Sequence, residues 1–149
     1  MLLSTGSPLS ILTARHVGLE ELRPFLQIIQ RESVSKTPPV FYSSPLPESN
    51  FYNWQSGLAK DNYLYAPFVA YPMRNKLLPL PYRLTDEVKA HISELIQSEL
   101  AREPEVIFVT HESNWNPWFI ARMKEAGFNA EVLQPNAYSV IIFRRPDRR

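Results

Sequence analysis

The chain has no cysteine and only 4 glycines. Without cysteine it can form no disulfide, no thiolate nucleophile, no iron–sulfur cluster and no Cys-rich zinc site. The glycines, at positions 6, 18, 57 and 127, are too scattered for a G-x-G-x-x-G or Walker loop, which clusters them so that backbone can approach phosphates. Dinucleotide and P-loop chemistry of the standard kinds are thereby excluded. Net charge is also scarce, with 16 Lys and Arg against 15 Asp and Glu. Such a balance creates no long-range field for nucleic acid, so no nucleic-acid partner is expected. Long apolar runs are missing too. A membrane-spanning helix needs about 20 apolar residues, and the longest run, residues 63–73, is broken by Pro67 and Pro72. The start makes a poor signal peptide, because Ser4 to Pro8 interrupt it and no basic residue precedes Arg15.

What the chain does have is proline, 14 residues of it, and 12% aromatics. Its 149 residues suit one domain over 1–149, large enough to bury roughly 70% of the unfolded chain's surface. Residues 1–16 show no period and read as an irregular lead-in. Leu19, Leu22, Leu26 and Ile29, with Phe25 alongside, fall on one helical face, and Pro24 places the regular start near Leu22. Residues 40–43 read as a short buried strand. Residues 44–83, rich in proline and aromatics, read as an irregular segment packed by its side chains. Thr85 or Asp86 caps a clear helix whose stripe is Val88, Ile92, Leu95, Ile96 and Leu100. Residues 106–109 read as a central strand, apolar on both faces. Asn116 as cap and Pro117 as first helical residue open the next helix. Trp118, Phe119, Met123 and Ala126 supply its buried side, and Gly127 ends it in a left-handed conformation. Residues 130–133 and 138–143 form a closing hairpin. The fold expected is α/β: a small mixed sheet of about four strands, helices on both faces, and an antiparallel hairpin at the end.

One constellation suggests chemistry. Glu112-Ser113-Asn114-Trp115 follows the central strand and His111. Glu48-Ser49-Asn50, ahead of Trp54, follows the first strand. Ligands of open α/β sheets bind beyond the carboxyl ends of strands, so parallel neighbours would bring both strings to one edge. His111 is then a candidate base, with Glu112 or Glu48 orienting it. Trp54, Trp115 and Trp118 are candidate stacking surfaces for a sugar ring, and Asn50 and Asn114 candidate polar contacts. The plainer reading makes the Ser and Asn residues loop and capping groups and the Trp residues core lids. No metal is expected, since His16, His91 and His111 are far apart and His91 has no second ligand at helical spacing. No cofactor is expected either, and no Ser sits in a G-x-S-x-G elbow. Residues 63–73 are read as a buried layer, with a partner or membrane interface as the alternative. The basic end, residues 144–149, is read as a solvated tail, with attraction to acidic lipid head groups as the alternative.

Residues 105–111, then 118–128 ending in Ala126-Gly127-Phe128, then 140–144 resemble the extramembrane C-terminal domain of polytopic, lipid-linked-sugar-dependent glycosyltransferases of the dolichyl-phosphate-mannose type. In that family a membrane bundle is followed by a small α/β domain in the order helix, strand, long irregular segment, helix, strand, helix, hairpin. The resemblance covers residues 15–145. Methyltransferases also close with a strand, a helix and a hairpin, but need a glycine-rich loop that this chain lacks. The family's catalytic carboxylates belong to the membrane bundle, so none is carried over. The resemblance implies a non-catalytic accessory domain on the extracytoplasmic side of a membrane, either a fragment or a stand-alone relative. Its partners would be the membrane-embedded portion of a parent enzyme and a sugar or lipid head group. The alternative is a cytoplasmic stand-alone enzyme, or a carbohydrate-binding module, with a pocket around His111, Glu112 and the Trp residues.

Overall fold

The structure, a computed structural model, describes residues 21–43, 73–81, 83–111 and 114–147. Helix α1 occupies residues 21–32. It buries Leu22, Phe25, Leu26 and Ile29, the stripe that the i, i+3, i+4, i+7 spacing specifies. Strand β1 (Val40–Ser43) is buried throughout. Strand β2 (Leu77–Pro79) follows, then helix α2 (Asp86–Gln97). Thr85 caps α2 by accepting a hydrogen bond from the Val88 amide at 3.3 Å. Asp86 and Glu87 stand in the first turn, where carboxylates meet the positive end of the helix dipole. Strand β3 (Glu105–Thr110), helix α3 (Trp115–Glu125), and strands β4 (Asn129–Leu133) and β5 (Ser139–Arg144) complete the order.

The five strands form one sheet in the order β2-β1-β3-β5-β4. β1 runs parallel to both β2 and β3, while β5 is antiparallel to β3 and β4. Alternation along the strands sorts side chains between two cores. Phe41, Leu78, Val106, Phe108, Ile141 and Phe143 pack against α2 and α3. Val40, Tyr42, Ile107, Val109, Val140 and Ile142 pack against α1. The mixed sheet with helices on both faces is therefore present. At roughly 1.5–3 kcal/mol per large apolar side chain, these two layers supply the main drive to fold.

Three details differ from the sequence reading. First, the sheet has a fifth strand, β2, inside the segment read as irregular. It is only 3 residues long and ends in Pro79, so no period marks it. Its hydrogen bonds to β1 include Val40 N to Lys76 O and Leu80 N to Tyr42 O, both 2.9 Å. That phase turns the nitrogen of Pro79 to the outer side, where an edge strand tolerates proline. Second, α3 starts at Trp115 after Asn114, so Asn116 lies inside the first turn. Pro117 remains among the first helical residues, whose N–H groups have no intrahelical acceptor, and the amide of Asn116 is freed to reach the sheet. Third, the basic end is not simply solvated, because Arg144 and Arg145 are built into the fold. Gly127 behaves as its position requires: its φ is +89°, a left-handed conformation that closes α3 without a Cβ penalty.

Candidate functional site

β1 and β3 end side by side, with Ser43 paired to Thr110 and Ser139 of β5 opposite Thr110. The three side chains are buried at one edge of the sheet. The next strand after β1 lies to one side of it and the next strands after β3 lie to the other. Connections therefore diverge between these two carboxyl ends, the position where open α/β sheets receive ligands. The parallel pairing that the sequence reading required is thus in place.

Alternation divides the groups at this edge between the two faces. On the α3 face, Ser43 Oγ donates to the carbonyl of Pro81 at 3.0 Å, and Asn116 Nδ2 donates to Ser139 Oγ at 3.2 Å. Asn116 Oδ1 is buried with no hydrogen-bond partner among the described residues. His111, one residue beyond β3, falls on the α1 face. Its ring meets Tyr138 edge-on at 5.1 Å between centroids, and Tyr138 in turn packs on Phe25 at 4.9 Å. The backbone amide of His111 donates to the carbonyl of Ser43 at 3.3 Å. Its Nδ1 is buried and makes no hydrogen bond among the described residues. A buried polar atom left without a partner costs about 1–3 kcal/mol. The edge thus holds two such atoms, an amide oxygen that accepts and an imidazole nitrogen whose role depends on its proton. Each offers one directed bond to a small polar ligand or to water.

Glu48, Asn50, Trp54 and Glu112, together with His16, lie outside the described residues, as do residues 63–72. The pairing of His111 with Glu112 or Glu48 lies outside them as well. Asn114 is exposed at the start of α3. Trp115 is a correction. It is 1% exposed and its ring lies 5.8 Å from Phe108, so it is core and has no face for a ligand. The inward turn at the start of α3 puts it there. Trp118 is on the outer side of α3, partly buried, edge-on to Phe119 at 6.1 Å. His111 and these two Trp residues do not share a wall, because the sheet lies between the α1 face and α3. His91 is partly buried on α2. Among the described residues, no three or more His, Asp or Glu gather as metal ligands would.

Sequence reasoning missed a charged cluster at the opposite edge. Arg144 donates from Nε to Glu105 at 3.1 Å, from Nη1 to Glu131 at 2.6 Å and from Nη2 to Glu32 at 2.8 Å. Glu105 is 5% exposed. Burial pushes the Glu32 carboxyl up, but hydrogen bonds from Arg144 and Arg31, with their charges, outweigh it and hold the group below the usual carboxylate range. The hydrogen bonds to Glu131 and Glu32 raise Arg144 further above its already high value. Arg145 lies 4.0 Å over the Phe128 ring and donates to the carbonyls of Ala126, Glu103 and Ala101 at 2.7, 3.1 and 3.2 Å. A cation there serves the negative end of α3 at Ala126 and ties it to the loop that follows α2. The only sequence signal for the cluster is the hairpin register, which sets Arg144 beside Asn129 and close to Glu131.

No family model matches the chain, and no curated protein or solved structure is significantly similar to it. The fold and site define a small α/β domain with a mixed sheet and a polar carboxyl edge.

Proposed function

We propose that the chain is an accessory, non-catalytic extramembrane domain of a membrane-bound glycosyltransferase that uses lipid-linked sugars. The observation that carries this reading is the order of elements. α1 leads to β1, a long segment follows, and then come α2, β3, α3 and the β4–β5 hairpin. That is the order the resemblance implies, and β2 is a 3-residue addition at the edge. No helix among the described residues is long and apolar enough to cross a membrane; the partner that the resemblance implies is the membrane-embedded portion of the parent enzyme. The domain would stand on the extracytoplasmic side. Separation of source cells into membrane and soluble fractions, followed by a blot for this domain, tests the reading. The expected result is a band several times larger than 17.3 kDa in the membrane fraction. A band at that mass in the soluble fraction would overturn it.

A second reading rests on the buried, unbonded Nδ1 of His111. In it, the carboxyl edge is a ligand or catalytic pocket in its own right. His111→Ala decides between the two. Loss of a measured activity or of ligand binding, with the fold intact, favours the pocket; unchanged behaviour favours the accessory role.

A further inference from the structure

A groove of about 310 Å³ lies between α2 and α3, lined by Lys89, Ala90 and Ser93 on one side and by Trp118, Ala121, Arg122 and Glu125 on the other. Its geometry follows from the helix directions. Both helices are crossovers that start at the carboxyl edge, so they run the same way. Lys89 stands beside Trp118, its Nζ 5.9 Å from the ring centroid. One turn further along each helix, Arg122 Nε donates to Ser93 Oγ at 3.1 Å. Ala90 and Ala121 keep the floor low. The volume is at the small end of ligand sites, enough for a single ring with one substituent.

The polar groups here have capacity to spare. Arg122 uses Nε on Ser93 and Nη1 on Glu125 at 2.6 Å, which leaves the two N–H donors of Nη2. Among the described residues, the carboxylate paired with Lys89 is that of Asp86 at 3.8 Å, too long for a hydrogen bond. Lys89 also stands near the amino end of α2, where the dipole disfavours a cation and favours an oxyanion. An indole face, two cations with unspent donors and a floor of small residues form one arrangement. The indole suits the apolar face of a ring, and the cations suit an oxyanion held by charge-assisted hydrogen bonds.

We infer that this groove binds a ring-bearing phosphate, such as a sugar phosphate, free or as the head group of a lipid. The ring lies on Trp118 and the phosphate is held by Lys89 and Arg122. The inference stands apart from the membrane assignment, which the fractionation blot tests separately.

The test is a titration of the 149-residue chain with glucose 6-phosphate, read from the Trp118 indole N–H signal in NMR spectra and assigned with Trp118→Phe. Glucose and inorganic phosphate are titrated alone as the two halves of the probe. The expected result is a saturable shift by glucose 6-phosphate that neither half matches. Lys89→Gln and Arg122→Gln should each weaken it about tenfold or more, with unchanged circular dichroism and melting temperature. The lipid source is tested with phosphatidylcholine vesicles containing either phosphatidylinositol or phosphatidylglycerol. Binding only to the phosphatidylinositol vesicles, lost in both variants, would identify a lipid head group as the source. Equal binding to both vesicles, an equal response to inorganic phosphate, insensitivity to the two variants, or no binding of any probe would overturn the inference.

Discussion

The two faces of the sheet are built differently. The face covered by α2 and α3 is a closed apolar layer. Phe119 lies stacked on Phe108 at 4.2 Å, and Phe41 and Phe143 stand 5.2 and 5.7 Å away. Its polar groups, Ser43, Thr110 and Ser139, are confined to the rim. The face covered by α1 is narrower and has polar groups at both ends. His111 and Tyr138 stand at one end, and the Glu32–Arg144 pair at the other. The first face holds the fold mainly by packing, with hydrogen bonds only at its rim. The second combines packing with hydrogen bonds and charges that respond to pH.

The largest expected effect is on the apolar face. Phe119→Ala removes the ring that four aromatic side chains share and should cost about 3–5 kcal/mol in urea unfolding. On the α1 face, Leu26→Ala should cost about 2–3 kcal/mol. If Leu26→Ala proved the more damaging, the apolar face would not be the dominant core and the comparison would break.

Next comes the charged end of the α1 face. Arg144→Met leaves the buried Glu105 without its cation and Glu32 with only that of Arg31. We expect a loss of about 2 kcal/mol at neutral pH, less than for a fully buried pair because Arg144 is itself partly exposed. The pH dependence has a definite sign. The folded-state pKa of Glu32 is depressed, so its contribution is present above the ordinary glutamate pKa and is lost as pH falls through the folded value. The wild-type chain should therefore lose stability in acid more steeply than Arg144→Met. Parallel urea midpoints from neutral pH down through the carboxylate range measure this, and equal slopes would show that the cluster contributes nothing.

A smaller effect tests how far local sequence rules reach. Thr85→Ala removes the cap of α2 and should cost about 1 kcal/mol. That cap was legible in the sequence, as were the stripe of α2, the buried β3, the left-handed Gly127 and the closing hairpin. Each is specified within a few residues by spacing or by one residue's conformational preference. The features that escaped depend on distant partners. β2 exists because β1 offers it an edge, and its own 3 residues carry no period. Arg144 reads as part of a basic tail until Glu32, 112 positions away, is brought beside it. Trp115 and Trp118 have the same chemistry and nearly the same place in the chain. The first turn of α3 puts one in the core and the other on a groove, and a cap placed two residues late, at Asn116 instead of Asn114, is enough to confuse them.

The smallest expected effect concerns His111. Its ring is held edge-on by Tyr138 while its Nδ1 is buried and unbonded. His111→Phe keeps an aromatic ring for Tyr138 and removes the orphan nitrogen. An unpaired buried polar atom costs stability whenever an apolar group of similar shape would fit. The replacement should therefore be neutral or stabilising, by up to about 1 kcal/mol in urea unfolding. A gain would mean that the chain retains a destabilising group at the carboxyl edge, as functional sites do when activity and stability conflict. A loss above about 1 kcal/mol would mean that the imidazole nitrogen is satisfied in solution and serves the fold. In that case the α1 face, like the other, is a structural layer, and the search for a ligand moves to the groove beside Trp118.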